Sequence, residues 1–94
     1  MATFIMFGNY SPESIKEISS QRTEDSIQLI KKNGGELKKG YSLLGDTDII
    51  LVVEFPDFKQ AMKTSVGLSK MLGISFTTAP AVSLDDFDKL FGGE

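Results

Sequence analysis

The chain has 94 residues, 40% of them hydrophobic and 24% charged, with 13 acidic side chains against 10 basic and a net charge of −3. One small domain with one core fits that length, the composition is far from that of disordered chains, and the mild acidity argues against nucleic acid, which asks for a basic stripe. Cysteine, histidine and tryptophan are absent, which excludes disulfides, thiolate nucleophiles and thiolate metal sites and removes imidazole as a base or ligand.

Thr3 to Phe7 is apolar on both alternations, with Phe4 and Met6 pointing one way and Ile5 and Phe7 the other. A strand of that kind is expected to be covered on both faces. Ser11-Pro12-Glu13 opens a helix: the serine caps free N–H groups, proline suits the first helical position, and the acid meets the positive end of the dipole. Ile15 and Ile18 mark an apolar stripe that Ile27, Leu29 and Ile30 resume, while Ser19 to Asp25 is polar throughout. The pattern predicts a short helix, a kink near Ser19-Ser20, and a second helix ended by Asn33-Gly34-Gly35.

Glu36 to Leu44 reads as an edge strand, Leu37, Lys39, Tyr41 and Leu43 alternating with Lys38, Gly40, Ser42 and Leu44. Gly45-Asp46-Thr47 supplies a hairpin turn, and Asp48 to Phe55 follows as the most hydrophobic strand, apolar on both faces as far as Glu54. Pro56-Asp57 starts a helix in which Phe58, Ala61, Met62, Ser65, Leu68, Ser69 and Leu72 form one stripe at helical spacing. Gly73 ends it. Ile74 to Val82 is a last strand that Pro80 confines to an edge, and Ser83-Leu84-Asp85-Asp86 begins a terminal helix carrying Phe87, Leu90 and Phe91. The expected organisation is a single domain over residues 1–91 with a frayed tail at 92–94.

The order β-α-β-β-α-β is that of the ferredoxin-like α+β sandwich, with an antiparallel sheet in the order 4-1-3-2. Strands one and three, placed centrally, are the two that are apolar twice over; the edges carry the lysines and the proline. Both helices of such a fold pack on one sheet face. The other face then shows Ile5 and Phe7, or Phe4 and Met6, beside Ile50 and Val52, or Ile49, Leu51 and Val53. At ~25 cal/mol per Å², covering about 400 Å² of such surface is worth roughly 10 kcal/mol. The expected cover is a second copy in an isologous dimer; the alternative is the terminal helix folded back as a lid.

The longest apolar run, Ile49 to Val53, is five residues, against about 20 for a membrane span. Met1-Ala2-Thr3 lacks a basic leader region, so the expected location is the cytoplasm.

Gly45-Asp46-Thr47-Asp48, five apolar residues and Glu54-Phe55-Pro56-Asp57 resemble the GYD domain family of small bacterial and archaeal proteins, named for a Gly-x-Tyr-Asp turn. Gly8-Asn9-Tyr10-Ser11, the interrupted helix with Arg22 opening its second part, Gly34-Gly35 and the segment from Ser83 to Phe91 are similar as well. The resemblance implies a dimeric α/β-barrel of ferredoxin-like fold and unestablished biochemical function. Gly45 and Asp48 match the family turn; the family's tyrosine is Thr47 here, so no role for a phenol is carried over. Turn geometry accounts for both matches, glycine supplying positive φ and aspartate bonding the loop backbone.

Four side chains are candidate ligand contacts. Arg22, the single arginine, suits carboxylate or phosphate, bidentately and beside a helix dipole; paired with Glu24 or Asp25 it is plain surface. Glu54 ends an apolar strand, where a carboxylate is a candidate for proton transfer. Tyr10 and Tyr41 are candidates for lining a pocket between sheet and helices. No phosphate loop, nucleotide fingerprint, nucleophile–base pair or metal constellation is visible, so no catalytic residue, metal or cofactor is assigned. Two functions stand: a non-catalytic homodimer that binds a small molecule or serves a structural or regulatory end, and, as the resemblance allows, a cofactor-independent enzyme acting on an aromatic or quinone-like substrate. The second type relies on His, Trp, Asn or Arg in its cavity, and this chain lacks the first two.

Overall fold

β1 (Ala2–Tyr10) lies inside the sheet, between β3 (Ile49–Phe55) and β4 (Ile74–Ala81), and β2 (Glu36–Ser42) closes the far edge against β3. The computed structural model describes residues 1–92. Every strand pair is antiparallel, and the order β2-β3-β1-β4 is the expected 4-1-3-2 read from the other edge.

One sheet face carries Phe4, Met6, Leu51, Val53 and Phe55, all buried, under α2 (Ser20–Lys32) and α3 (Phe58–Leu72). Ile30, Ala61, Leu68 and Leu72 come down from the helices to meet them, and the Phe4 and Phe55 rings meet edge to face at 6.3 Å. Gly8 sits where β1 passes under this layer: a Cβ there would stand 2.6 Å from Ile49 Cγ2 and 2.7 Å from Phe76 Cε1. The other face places Phe7 between Ile50 and Thr77, and Ile5 between Val52 and Ala79. On that face Phe7 is exposed and Ile5, Ile50 and Val52 are half-buried.

Four expectations are corrected. β2 ends at Ser42, and a register shift between Leu37 and Lys39 breaks its alternation. The extra residue of a bulge reverses the phase, so Leu37 faces Val53 on the helix side while Lys39 and Tyr41 oppose Val52 and Ile50 on the open side. In the first helical region α1 (Pro12–Lys16) is the expected short helix, with the break at Ser19 before α2, but its buried residue is Ser14, and Ile15 and Ile18, expected on the apolar stripe, are exposed. In α3 the buried line is Ala61, Thr64, Leu68 and Leu72; Phe58 and Met62 stand in solvent. The helix packs on a narrower arc than the apolar residues occupy.

The terminal helix, α4 (Leu84–Phe91), is capped by Ser83 as expected. It does not fold back as a lid, and none of its residues is buried. Gly92, the first residue of the expected tail, is the C-cap of α4, its N–H donating to Asp88 O; Gly93 and Glu94, also assigned to that tail, lie outside the described residues. Among the described residues no helix is long and apolar enough to cross a membrane.

Candidate functional site

The end of β1 is fixed by the loop that follows β2. Asp48 Oδ2 accepts a hydrogen bond from Tyr10 N at 2.9 Å, Asp48 N donates to Gly8 O at 2.9 Å, and its carbonyl accepts from Leu43 N at 2.8 Å. Gly45, at φ 151° in open space, lets the loop turn. The two residues of the family turn thus act together: glycine shapes the loop and aspartate fastens it to Tyr10.

Past Tyr10, Ser11 and Ser14 form a reciprocal capping box. Ser11 Oγ accepts from Ser14 N at 3.0 Å and Ser14 Oγ from Ser11 N at 2.7 Å, two free donors satisfied in a helix of five residues. The Ser14 carbonyl accepts from Arg22 Nη1 at 2.6 Å. Arg22 lies in the first turn of α2, whose cap Ser19 accepts from Arg22 N at 3.1 Å, and its guanidinium carbon stands 5.9 Å from the Tyr10 ring centroid, the outer reach of a cation–π contact. The expected surface pairing is not made: Glu24 accepts from Gln28 and Asp25 from Gln21.

Arg22 and Tyr10 edge a narrow cleft with Ser19 and Thr23, of about 60 Å³. Ile49, Leu72 and Ile74 continue from it into a second space of about 60 Å³ beneath α2, walled by Ile30, Leu51, Leu68 and Phe76. Water takes about 30 Å³ per molecule in the liquid and drug-sized ligands roughly 300 Å³ or more. Each space is therefore far smaller than the pocket a drug-sized ligand occupies. A positive mouth over an apolar slot suits a small anion with a short hydrophobic tail.

The four candidate contacts fall in three places. Tyr10 and Arg22 meet at the cleft. Tyr41 does not join them: it lies on the open face across from Ile50. Glu54 is on the same open face toward the other end of the sheet, between Thr3 of β1 and Glu36 of β2. Neither can line a pocket under the helices. Ser14 was missed, although Ser11-x-x-Ser14 is a capping-box spacing readable in the sequence.

The fold resembles that of a solved structure, the leucine response regulatory protein LrpA of Mycobacterium tuberculosis, at a TM-score of 0.62 over 87% of this chain. Identity is 7%, so the likeness is one of fold, and the chain spans about half of that protein's length, 51%. No curated protein sequence matches the chain. The GYD domain model matches residues 4–91, through both the Asp48-fastened loop and the Arg22 helix, and the chain belongs to the GYD domain family.

Proposed function

We propose that the chain is a non-catalytic, homodimeric binding module that takes a small carboxylate with a short apolar tail at the Arg22 cleft. The observation that carries this reading is the state of Arg22: held by the Ser14 carbonyl and the Tyr10 ring, paired with no carboxylate among the described residues, and set at the mouth of an apolar slot. A guanidinium has five donors in a planar fork, and one hydrogen bond to a carbonyl leaves room for a bidentate partner. The narrowness of the slot also supports binding over turnover of an aromatic or quinone-like substrate. The dimer is supported by the apolar row of Ile5, Phe7, Ile50 and Val52 on the open face, of which Phe7 is exposed and the others half-buried.

Thermal unfolding followed against a panel of aliphatic carboxylates and their amides tests the ligand. The expected result is a saturable rise in Tm with short branched or straight-chain carboxylates, none with the amides, and loss of the effect in Arg22→Ala. Arg22→Lys should retain little of it, since a point charge does not replace a planar fork. Equal shifts in wild type and Arg22→Ala would overturn the site.

A further inference from the structure

α4 and α3 each leave an apolar stripe in solvent, and the charges beside the two stripes are opposite in sign. On α4, Phe87, Leu90 and Phe91 are 50%, 67% and 74% exposed, and the Phe87 and Phe91 rings lie 4.8 Å apart as one continuous surface. Its polar side is acidic, with Asp85, Asp86 and Asp88 against Lys89. On α3, Phe58 and Met62 are 58% and 60% exposed at successive turns. They overhang an apolar groove of about 440 Å³ floored by Phe4, Ala61 and Pro80. Lys59 and Lys63 run alongside, and α3 contains no acidic residue.

The geometry points to α4 as an exchanged arm that docks in the α3 groove of a second copy of this chain. An amphipathic helix laid in an apolar groove is a recurrent recognition mode, read through anchors three and four residues apart. Phe87, Leu90 and Phe91 have that spacing, and the groove volume is of the order two aromatic side chains require. The acidic edge of the arm then meets the lysine edge of the groove, which favours one orientation and disfavours like-charged alternatives. A second copy is the occupant because the link after β4 is short: Val82 and Ser83 alone separate Ala81 from α4. Pro80, four residues before Leu84, is itself part of the groove wall, so the chain's own arm leaves from the rim of its own groove. Reciprocal exchange between two copies closes the assembly, whereas one-way docking would propagate.

The absence of cysteine makes the contact directly readable by paired substitutions in the full chain. Met62→Cys and Leu90→Cys variants, one carrying a mass tag, are mixed at micromolar concentration with oxidised glutathione. The expected product is the mixed disulfide between chains, at about ten times the yield from Leu90→Cys mixed with Lys31→Cys, a control on α2 with no groove. Yields equal to the control would overturn the proposal. So would a Met62→Cys/Leu90→Cys double variant that closes its disulfide within one chain. Reversing Lys59 and Lys63 to glutamate should lower the mixed yield by about threefold, the size expected of two exposed ion pairs, and Asp85→Lys/Asp86→Lys should restore it. An unchanged yield on reversal would also overturn the proposal. The cross-link is read independently of the mass that reports the open-face dimer.

Discussion

Arg22 owes its position to residues on the other side of the helix break between α1 and α2. Its guanidinium reaches eight residues back to the Ser14 carbonyl, which is aimed by the two hydrogen bonds of the Ser11–Ser14 box. Ser14→Ala removes one of these and the bond that Ser14 Oγ donates to Ser11 O, at about 1 kcal/mol. In a domain of this size that lowers Tm by roughly 4–8 °C. The same substitution should weaken carboxylate binding although Arg22 is unchanged, because the guanidinium loses its fixed direction; titration calorimetry beside Arg22→Ala separates the two effects. Asp48 makes a parallel case. Asp48→Ala strands the partly buried Tyr10 N–H, at about 1–3 kcal/mol, whereas Asp48→Asn keeps an acceptor and should lose less. The break at Ser19 and the glycine–aspartate turn were legible in the sequence, being local chemistry. The partner of Arg22 was not. Which carbonyl a long side chain meets depends on the angle between α1 and α2, and no spacing states that angle.

α3 shows where periodicity stops being informative. Phe58, Ala61, Met62, Ser65, Leu68, Ser69 and Leu72 spread over a wide arc, and a helix lying on a sheet buries only part of such an arc. The arc that wins includes Thr64, whose Oγ1 donates to Gln60 O at 2.8 Å and accepts from Asn33 Nδ2 at 2.9 Å. A threonine that satisfies its hydroxyl on its own helix is as easily buried as an apolar residue, so the polar label misled. Leu68→Ala is expected to cost about 2–5 kcal/mol as a cavity mutation, and Met62→Ala no more than about 0.5 kcal/mol as a surface one; urea unfolding compares them directly. β2 adds a second case. The order of strands was readable because the doubly apolar ones lie inside, but the bulge between Leu37 and Lys39 was not, and it moved Tyr41 to the open face. It also sets Glu36 opposite Glu54, and like charges across a strand pair are destabilising. Glu54→Thr should therefore raise stability by about 0.2–1 kcal/mol in urea unfolding.

For the molecule as a whole the question is whether the open face holds two copies together without further help. Its centre is the block of Ile5 and Phe7 on β1 with Val52 and Ile50 on β3, flanked by Tyr41 and Lys39 on one side and Thr77 and Ala79 on the other. If each copy buries about 400 Å² of apolar surface, the pair gains roughly 20 kcal/mol before costs, and association consumes about 4–15 kcal/mol of it. A buried total of about 800 Å² is half of a standard interface of roughly 1,600 Å². The rim at Tyr41 and Lys39 would add to it. The net of about 5–16 kcal/mol corresponds to dissociation constants from about 0.2 mM downward, so a reversible dimer is the expected outcome, with a mass near twice the 10.3 kDa of one chain. Phe7→Asp puts a charge at the centre of the block while leaving the helix-side core untouched, so it should yield a monomer whose circular dichroism and cooperative unfolding persist. Phe4→Asp, one residue from the other alternation and buried under the helices, should instead abolish the fold, since an unpaired buried charge has no compensation. Sedimentation equilibrium from about 1 to 100 μM spans the range in which such an interface dissociates. A wild-type mass of one chain throughout would rule out the open-face dimer, and an equally dimeric Phe7→Asp variant would move the contact elsewhere.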